Sequence, residues 1–127
     1  MTHTTALEGI SVFERGWLSS NNILLHGGEG EAATLIDSGH CVHGEQTLAL
    51  VRQALRGRAT LERIVNTHLH SDHCGGNAAL QRAFGARIVI PPGEADAIGR
   101  WDEDALSYRA TGQRIEQFVF ANGTIWD

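Results

Sequence analysis

One short segment carries most of the chemistry in this chain: Thr67-His68-Leu69-His70-Ser71-Asp72-His73-Cys74-Gly75-Gly76. Three of the seven histidines fall inside six consecutive positions there. Imidazole nitrogen and carboxylate oxygen form the ligand set of Zn²⁺ and similar borderline metals at open, catalytic sites. Residues two apart in an extended stretch point the same way, so His68 and His70 can hold one ion from one side. The backbone must then turn, carrying Asp72 and His73 to a second, adjacent position. A structural zinc site would want paired cysteines instead, and the chain has only Cys41 and Cys74. At this histidine and aspartate content, His-x-His-x-Asp-His arises by chance in roughly one such chain per thousand. The spacing is therefore a specific signal.

The elements around the segment suit it. Arg63-Ile64-Val65-Asn66-Thr67 reads as a buried strand that runs directly into the histidines. Upstream, Ser11 to Leu18 alternates in part, while Asn22 to His26 and Ala33 to Asp37 are short apolar runs. Gly27-Gly28-Glu29-Gly30 between them reads as a hairpin turn. Uninterrupted apolar runs predict strands buried on both faces, or nearly so. Gly44 to Arg56 carries Leu48, Val51 and Leu55 at helical spacing, with Gly57 placed to stop the helix. Asn77 is expected to cap a short helix bearing Leu80, Ala83 and Phe84 on one face and ended by Gly85. Arg87 to Ile90 reads as a further strand, stopped by Pro91-Pro92. Strand, helix, strand, helix, strand is the alternation of a layered α/β fold. Beyond Pro92 the pattern predicts a partly helical stretch from Gly93 to Tyr108, opened by the acidic Asp102-Glu103-Asp104. A strand over Gln117 to Phe120, a hairpin turn at Asn122-Gly123 and a strand beginning at Thr124 follow.

Composition limits the partners. A formal charge of −5 and a pI near 5.7 argue against a nucleic-acid-coating or anionic-membrane role. All ten basic residues are arginine, to which no function attaches. Cys41 and Cys74 are too few for a disulfide scaffold and are not expected to pair. The start of the chain lacks a basic region followed by an apolar one, and no run approaches a transmembrane helix in length. The expectation is a cytoplasmic domain that acts on a small molecule, with neither nucleic acid nor membrane as partner.

Thr67 to Gly76 resembles the signature of the metallo-β-lactamase-fold hydrolase superfamily and matches it at every position. Leu35-Ile36-Asp37-Ser38-Gly39 resembles the upstream strand ending in Asp-Thr-Gly or Asp-Ser-Gly that this family carries. The resemblance implies that residues 1–127 are the N-terminal half of an αββα sandwich, a mixed sheet with helices on one face. It implies zinc, two ions per complete site, with iron or manganese as alternatives. His68 and His70 would bind the first metal, Asp72 and His73 the second, and Asp72 would also orient the attacking hydroxide or take its proton. Asp37 would brace the ligand loop rather than bind metal. The activity implied is hydrolysis of an ester, thioester or lactam carbonyl by a metal-bound hydroxide.

The family pattern also includes a third histidine for the first metal, a bridging aspartate and a last histidine for the second metal. After His73 this sequence has no histidine, and nothing beyond Asp72 resembles the bridging aspartate. Two groups per metal fall short of the three protein ligands of a catalytic zinc. The expectation is a partial domain whose C-terminal half is missing and which binds metal weakly by itself. Its uncovered sheet face would favour self-association or pairing with that half. Other candidates have plainer readings. His40-Cys41-Val42-His43 is expected to be a polar loop and helix start near the site rim, and Cys74 to be packing for the Gly-Gly turn. Trp101 and Tyr108 are expected to pack in the core or an interface, His26 to end a strand, and His3 to lie in a disordered terminus.

Overall fold

A computed structural model describes residues 3–16, 20–27, 32–56, 60–91, 93, 99–100 and 124–125. Four strands come first: β1 (His3–Leu7), β2 (Ile10–Glu14), β3 (Asn22–Leu25) and β4 (Ala33–Ile36). A 3-10 turn at Cys41–His43 leads into α1 (Gly44–Leu55), followed by β5 (Leu61–Val65). The histidine segment supplies one helical turn, α2 (Ser71–Cys74), before α3 (Asn77–Phe84), β6 (Arg87–Ile90) and β7 (Thr124–Ile125). The seven strands form one mixed sheet in sequential order. Neighbours from β1 to β4 pair antiparallel, and those from β4 to β7 pair parallel. The switch falls where connections lengthen: parallel neighbours need a crossover, and α1 and α3 are the crossovers after β4 and β5.

The register puts one apolar row across the middle of the sheet. Leu24 pairs with Leu35, Leu35 with Ile64, and Ile64 with Ile88, all at most 2% exposed. Leu48, Val51 and Leu55 of α1 and Leu80 of α3 join this row in a single core, so the helices cover that face. Spacing of three and four residues along α1 gives the stripe that does this. Gly44 brings the helices close, since a Cβ there would sit 3.3 Å from that of Ala79 on α3. The opposite face is different. Val12, Ile23, Ile36, Val65 and Val89 form its own aligned row and are only half-buried. The strands are therefore deeply buried on one face, not on both as their apolar runs suggest.

Several local expectations change. His3 opens β1, a strand paired with β2, rather than lying in a loose terminus. Helix α1 ends on Arg56 in the left-handed conformation (φ 54°), whose N–H returns to the Arg52 carbonyl at 2.9 Å, so the stop does not need Gly57. Asn77 is not a cap: Gly76 precedes the helix without a side-chain bond, and Asn77 lies inside it, buried. The tip of the Gly27–Gly30 turn and most of the Gly93–Tyr108 stretch, with Trp101, Asp102-Glu103-Asp104 and Tyr108, lie outside the described residues. So do the Gln117–Phe120 strand and the Asn122-Gly123 turn. Among the described residues no helix is long and apolar enough to cross a membrane.

The core row sets a stability contrast. Leu35→Ala, at a residue 0% exposed, is expected to lose about 2–5 kcal/mol in urea unfolding. Val42→Ala, at a residue 69% exposed, is expected to stay within about 0.5 kcal/mol. Equal losses would contradict this layering.

Candidate functional site

Strand β5 ends against β6, where the Asn66 N–H donates to the Val89 carbonyl at 2.9 Å. The chain then leaves the sheet still extended. Leu69 turns inward and is 1% exposed, so its neighbours His68 and His70 share the outer side, as the alternation predicts. The His68 and His70 ring centroids are 5.0 Å apart with the rings perpendicular. His70 precedes α2, and its carbonyl accepts from the N–H groups of His73 (2.9 Å) and Cys74 (3.1 Å). That single turn swings His73 back over His68, with centroids 4.1 Å apart. Three imidazoles thus meet within one short segment. Asp72 lies in the same turn, and its side chain is outside the described residues.

A second segment arrives from β4. Asp37 stays in the sheet ladder through its N–H, bonded to the Val65 carbonyl at 2.9 Å. It then bends in the left-handed region (φ 60°), a conformation aspartate tolerates better than most residues. The bend aims its buried carboxylate at the histidine segment. Oδ1 accepts the Thr67 backbone N–H at 2.8 Å, and Oδ2 accepts the Thr67 hydroxyl at 2.7 Å. Oδ2 also accepts Nδ1–H of His73 at 3.0 Å. The sequence expectation of Asp37 as a brace for the loop matches this arrangement.

These bonds fix protons as well as positions. A carboxylate only accepts, so His73 carries its hydrogen on Nδ1 and would meet a metal through Nε2. Thr67 has one hydroxyl proton, and Asp37 takes it. The contact between Thr67 Oγ1 and His68 Nδ1 at 3.2 Å therefore has the ring donating. His68 too would present Nε2. One carboxylate sets both tautomers, one directly and one through a hydroxyl.

Under this pair lies a polar core. The Ser38 N–H donates to the His73 carbonyl at 2.8 Å, and the Gly75 N–H to the Gly39 carbonyl at 2.8 Å. The Ser38 hydroxyl donates to Asn77 Oδ1 at 2.6 Å, and Asn77 Nδ2 to Asn66 Oδ1 at 2.7 Å. Asn66 Nδ2 reaches the His73 carbonyl at 3.4 Å. Sequence reading gave these residues other roles: Asn66 a member of a strand, Asn77 a helix cap and Ser38 part of a strand ending. A polar residue at each junction with the motif was the available signal. Gly76 is explained by close approach, because any Cβ there would run into the Ser38 carbonyl oxygen.

The remaining candidates take structural places. Cys74 is fully buried behind the segment, with its backbone bridged to Gly39, in keeping with packing. That bridge brings the loop of His40 to His43 alongside the motif. His40 is buried, His43 is exposed, and their rings meet edge to face at 5.8 Å. His26 ends its strand and pairs with the Ser11 hydroxyl at 2.7 Å.

The donor set can be tested against a metal. Two imidazoles on one tetrahedral zinc, at Zn–N distances of about 2.0–2.1 Å, would hold their centroids about 5 Å apart. His68 and His70 meet that spacing. His68 and His73, at 4.1 Å, are too close for it. Among the described residues, no three His, Cys, Asp or Glu side chains are grouped so that they could hold one metal ion together. The residues fit a half-site.

The family model described as the metallo-beta-lactamase superfamily matches residues 15–124. A hydroxyacylglutathione hydrolase from Hyphomonas neptunium is 51% identical over 39 residues, which is 31% of this chain and 15% of that protein. A solved metallo-beta-lactamase with a HARLDQ motif from Cronobacter sakazakii is 25% identical with a TM-score of 0.73. That match covers 98% of this chain and 46% of the other. A metallo-beta-lactamase from Novosphingobium pentaromativorans shares the fold at 24% identity and a TM-score of 0.67, over 91% of this chain and 42% of its own. The chain thus spans less than half the length of these relatives.

Two substitutions probe the geometry. Thr67→Val removes the hydroxyl between Asp37 and His68 and is expected to lose about 1–2 kcal/mol in chemical unfolding, with Thr67→Ser recovering most of it. Gly76→Ala is expected to lose about 1–3 kcal/mol or more, since Ser38 and its backbone must shift. A neutral Gly76→Ala would contradict the close approach.

Proposed function

This chain belongs to the metallo-beta-lactamase superfamily, and on that premise we propose that it carries the metal-binding half of a hydrolase site. Its fold is that of the superfamily's hydrolases. The observation that carries the proposal is the convergence of His68, His70 and His73, with Asp37 holding His73 and, through Thr67, His68. In this reading His68 and His70 hold one zinc ion, and Asp72 with His73 holds a second; iron or manganese would suit the same donors. When bound, such ions lower the pKa of water and polarise a carbonyl oxygen. The chain's own residues do the rest. Asp37 keeps the proton on His73 Nδ1, Thr67 keeps the proton on His68 Nδ1, and Leu69 anchors the backbone between the first two histidines. Asp72, in the same turn, would orient the attacking water or accept its proton.

The substrate class proposed is a small molecule with an ester, thioester or lactam carbonyl. The segment shared with a hydroxyacylglutathione hydrolase and the likeness to metallo-beta-lactamases both support a carbonyl substrate. A net charge of −5 speaks for a small molecule over nucleic acid. A second reading has a specific basis. With no histidine after His73, this polypeptide alone offers two ligands per ion. It would then bind metal weakly, turn nothing over, and associate through the half-buried row of Val12, Ile23, Ile36, Val65 and Val89.

Zinc titration of the metal-free protein, monitored with a competing chelator, separates the readings. Two tightly held equivalents with ester or lactam turnover would establish the first for this chain alone. Less than one equivalent and no turnover would favour the second. In either case Asp37→Asn is expected to weaken the zinc that binds about 10–100-fold, and His70→Ala to remove the first-ion site.

A further inference from the structure

Arg15 follows β2, far from the histidine segment in sequence, yet it is only 9% exposed. It points a guanidinium into the fold and meets no carboxylate among the described residues. Nη1 donates to Asn22 Oδ1 at 2.8 Å and to Thr47 Oγ1 at 2.6 Å, and Nη2 donates to Gln46 Oε1 at 3.0 Å. Burial pushes its pKa below the ordinary arginine value. A cation set among neutral acceptors at the first turns of α1 runs against both desolvation and the helix dipole. Core packing alone would not select it.

The contact with Thr47 shows what it does. An arginine donates and never accepts, so the 2.6 Å bond occupies Thr47 Oγ1 as an acceptor. The single Thr47 proton must then point away from Arg15. Two carbonyls wait for it, Ser38 at 3.2 Å and His43 at 3.1 Å. These are the two ends of the loop that carries Gly39 and the 3-10 turn. Gly39 itself leaves the room, since a Cβ there would stand 3.3 Å from Arg15 Nη1. Ser38 is next to Asp37, its N–H holds the His73 carbonyl, and its hydroxyl holds Asn77. A continuous run of bonds therefore leads from Arg15 through Thr47 and Ser38 to His73.

We propose that Arg15 is a positioning residue for the candidate metal site, acting through Thr47 to lock the Asp37-Ser38-Gly39 turn and so the His73 ring. This rests on the reading of His73 as a metal ligand. Arg15 touches neither the ligands nor a substrate. Its role is to force the Thr47 hydroxyl into a donor toward the turn, so that the Asp37 carboxylate meets Nδ1 of His73 in one arrangement.

The test has two arms on the full chain. The first records the ¹⁵N shifts of the His73 ring in metal-free protein at one alkaline pH, for wild type, Arg15→Met, Thr47→Val and Thr47→Ser. Circular dichroism establishes that each variant is folded. The expected result is a His73 ring dominated by the Nδ1–H form in wild type and Thr47→Ser, and a mixed tautomer in Arg15→Met and Thr47→Val. The second arm titrates zinc into the same proteins; a dissociation constant about 10-fold weaker in Arg15→Met and Thr47→Val is expected. Should Arg15→Met fail to fold, the Thr47 pair decides alone. Wild-type His73 shifts in folded Arg15→Met or Thr47→Val would overturn the proposal. A wild-type chain that takes up no zinc would sink the metal reading, while the imidazole shifts would still decide whether Arg15 positions His73.

Discussion

The carboxylate of Asp37 is the point on which the site depends. Its backbone belongs to the sheet and its side chain to the histidine segment, so it joins two stretches thirty residues apart at the end of parallel strands β4 and β5. A buried carboxylate requires donors, and among the described residues all three of its donors come from Thr67 and His73. The left-handed bend at Asp37 is a local strain of order 1 kcal/mol. It is offset because no ordinary strand ending would aim both oxygens at the neighbouring loop.

The surroundings follow from that constraint. Bringing the Asp37-Ser38 turn against the start of α3 demands a residue without a side chain at Gly76. It also buries backbone carbonyls where no sheet ladder continues. The His73 carbonyl needs donors, which Ser38 and Asn66 supply, and Asn77 ties the two together through its side-chain amide. A polar core of this kind is expensive when incomplete and specific when complete. Apolar side chains of the same size would pack but would take a donor from the His73 carbonyl. The motif would then keep its residues and lose their arrangement.

This explains what was legible in the sequence. The apolar runs and the helical stripe of Leu48, Val51 and Leu55 located β3, β4, β5, β6 and α1, because burial of one face imposes a period that composition cannot hide. His68 and His70 fell on one side because Leu69 obeys the same alternation. The failures share a cause. Asn77, Asn66 and Arg15 are polar residues whose partners are distant in sequence, so local rules make Asn77 a cap and leave Asn66 and Arg15 as ordinary members of strand-like runs. Asn77 has the residue type of a cap but the environment of a core. Half-burial of the Val12, Ile23, Ile36, Val65 and Val89 row was equally hidden, since an apolar strand reads the same whether one face or both are deeply covered.

The histidine site also divides unevenly between what is organised and what is supplied. The groups that touch His68 and His73 and set their tautomers, Asp37 and Thr67, lie between Asp37 and His73, and the scaffold beneath them between Arg15 and Asn77. None of it draws on the stretches by which the solved relatives exceed this chain. A pair of imidazoles held at 5.0 Å, with the His68 proton already placed, would lose little freedom when an ion arrives. Such a half-site favours the geometry of a metal ion before it supplies enough ligands to retain one. On the proposed reading, affinity would depend on the donors that complete the shell, and the position of the ion on Asp37, which holds His73 and, through Thr67, His68. On this division, a defect in the Asp37 network would misplace a metal even in a site with every ligand present.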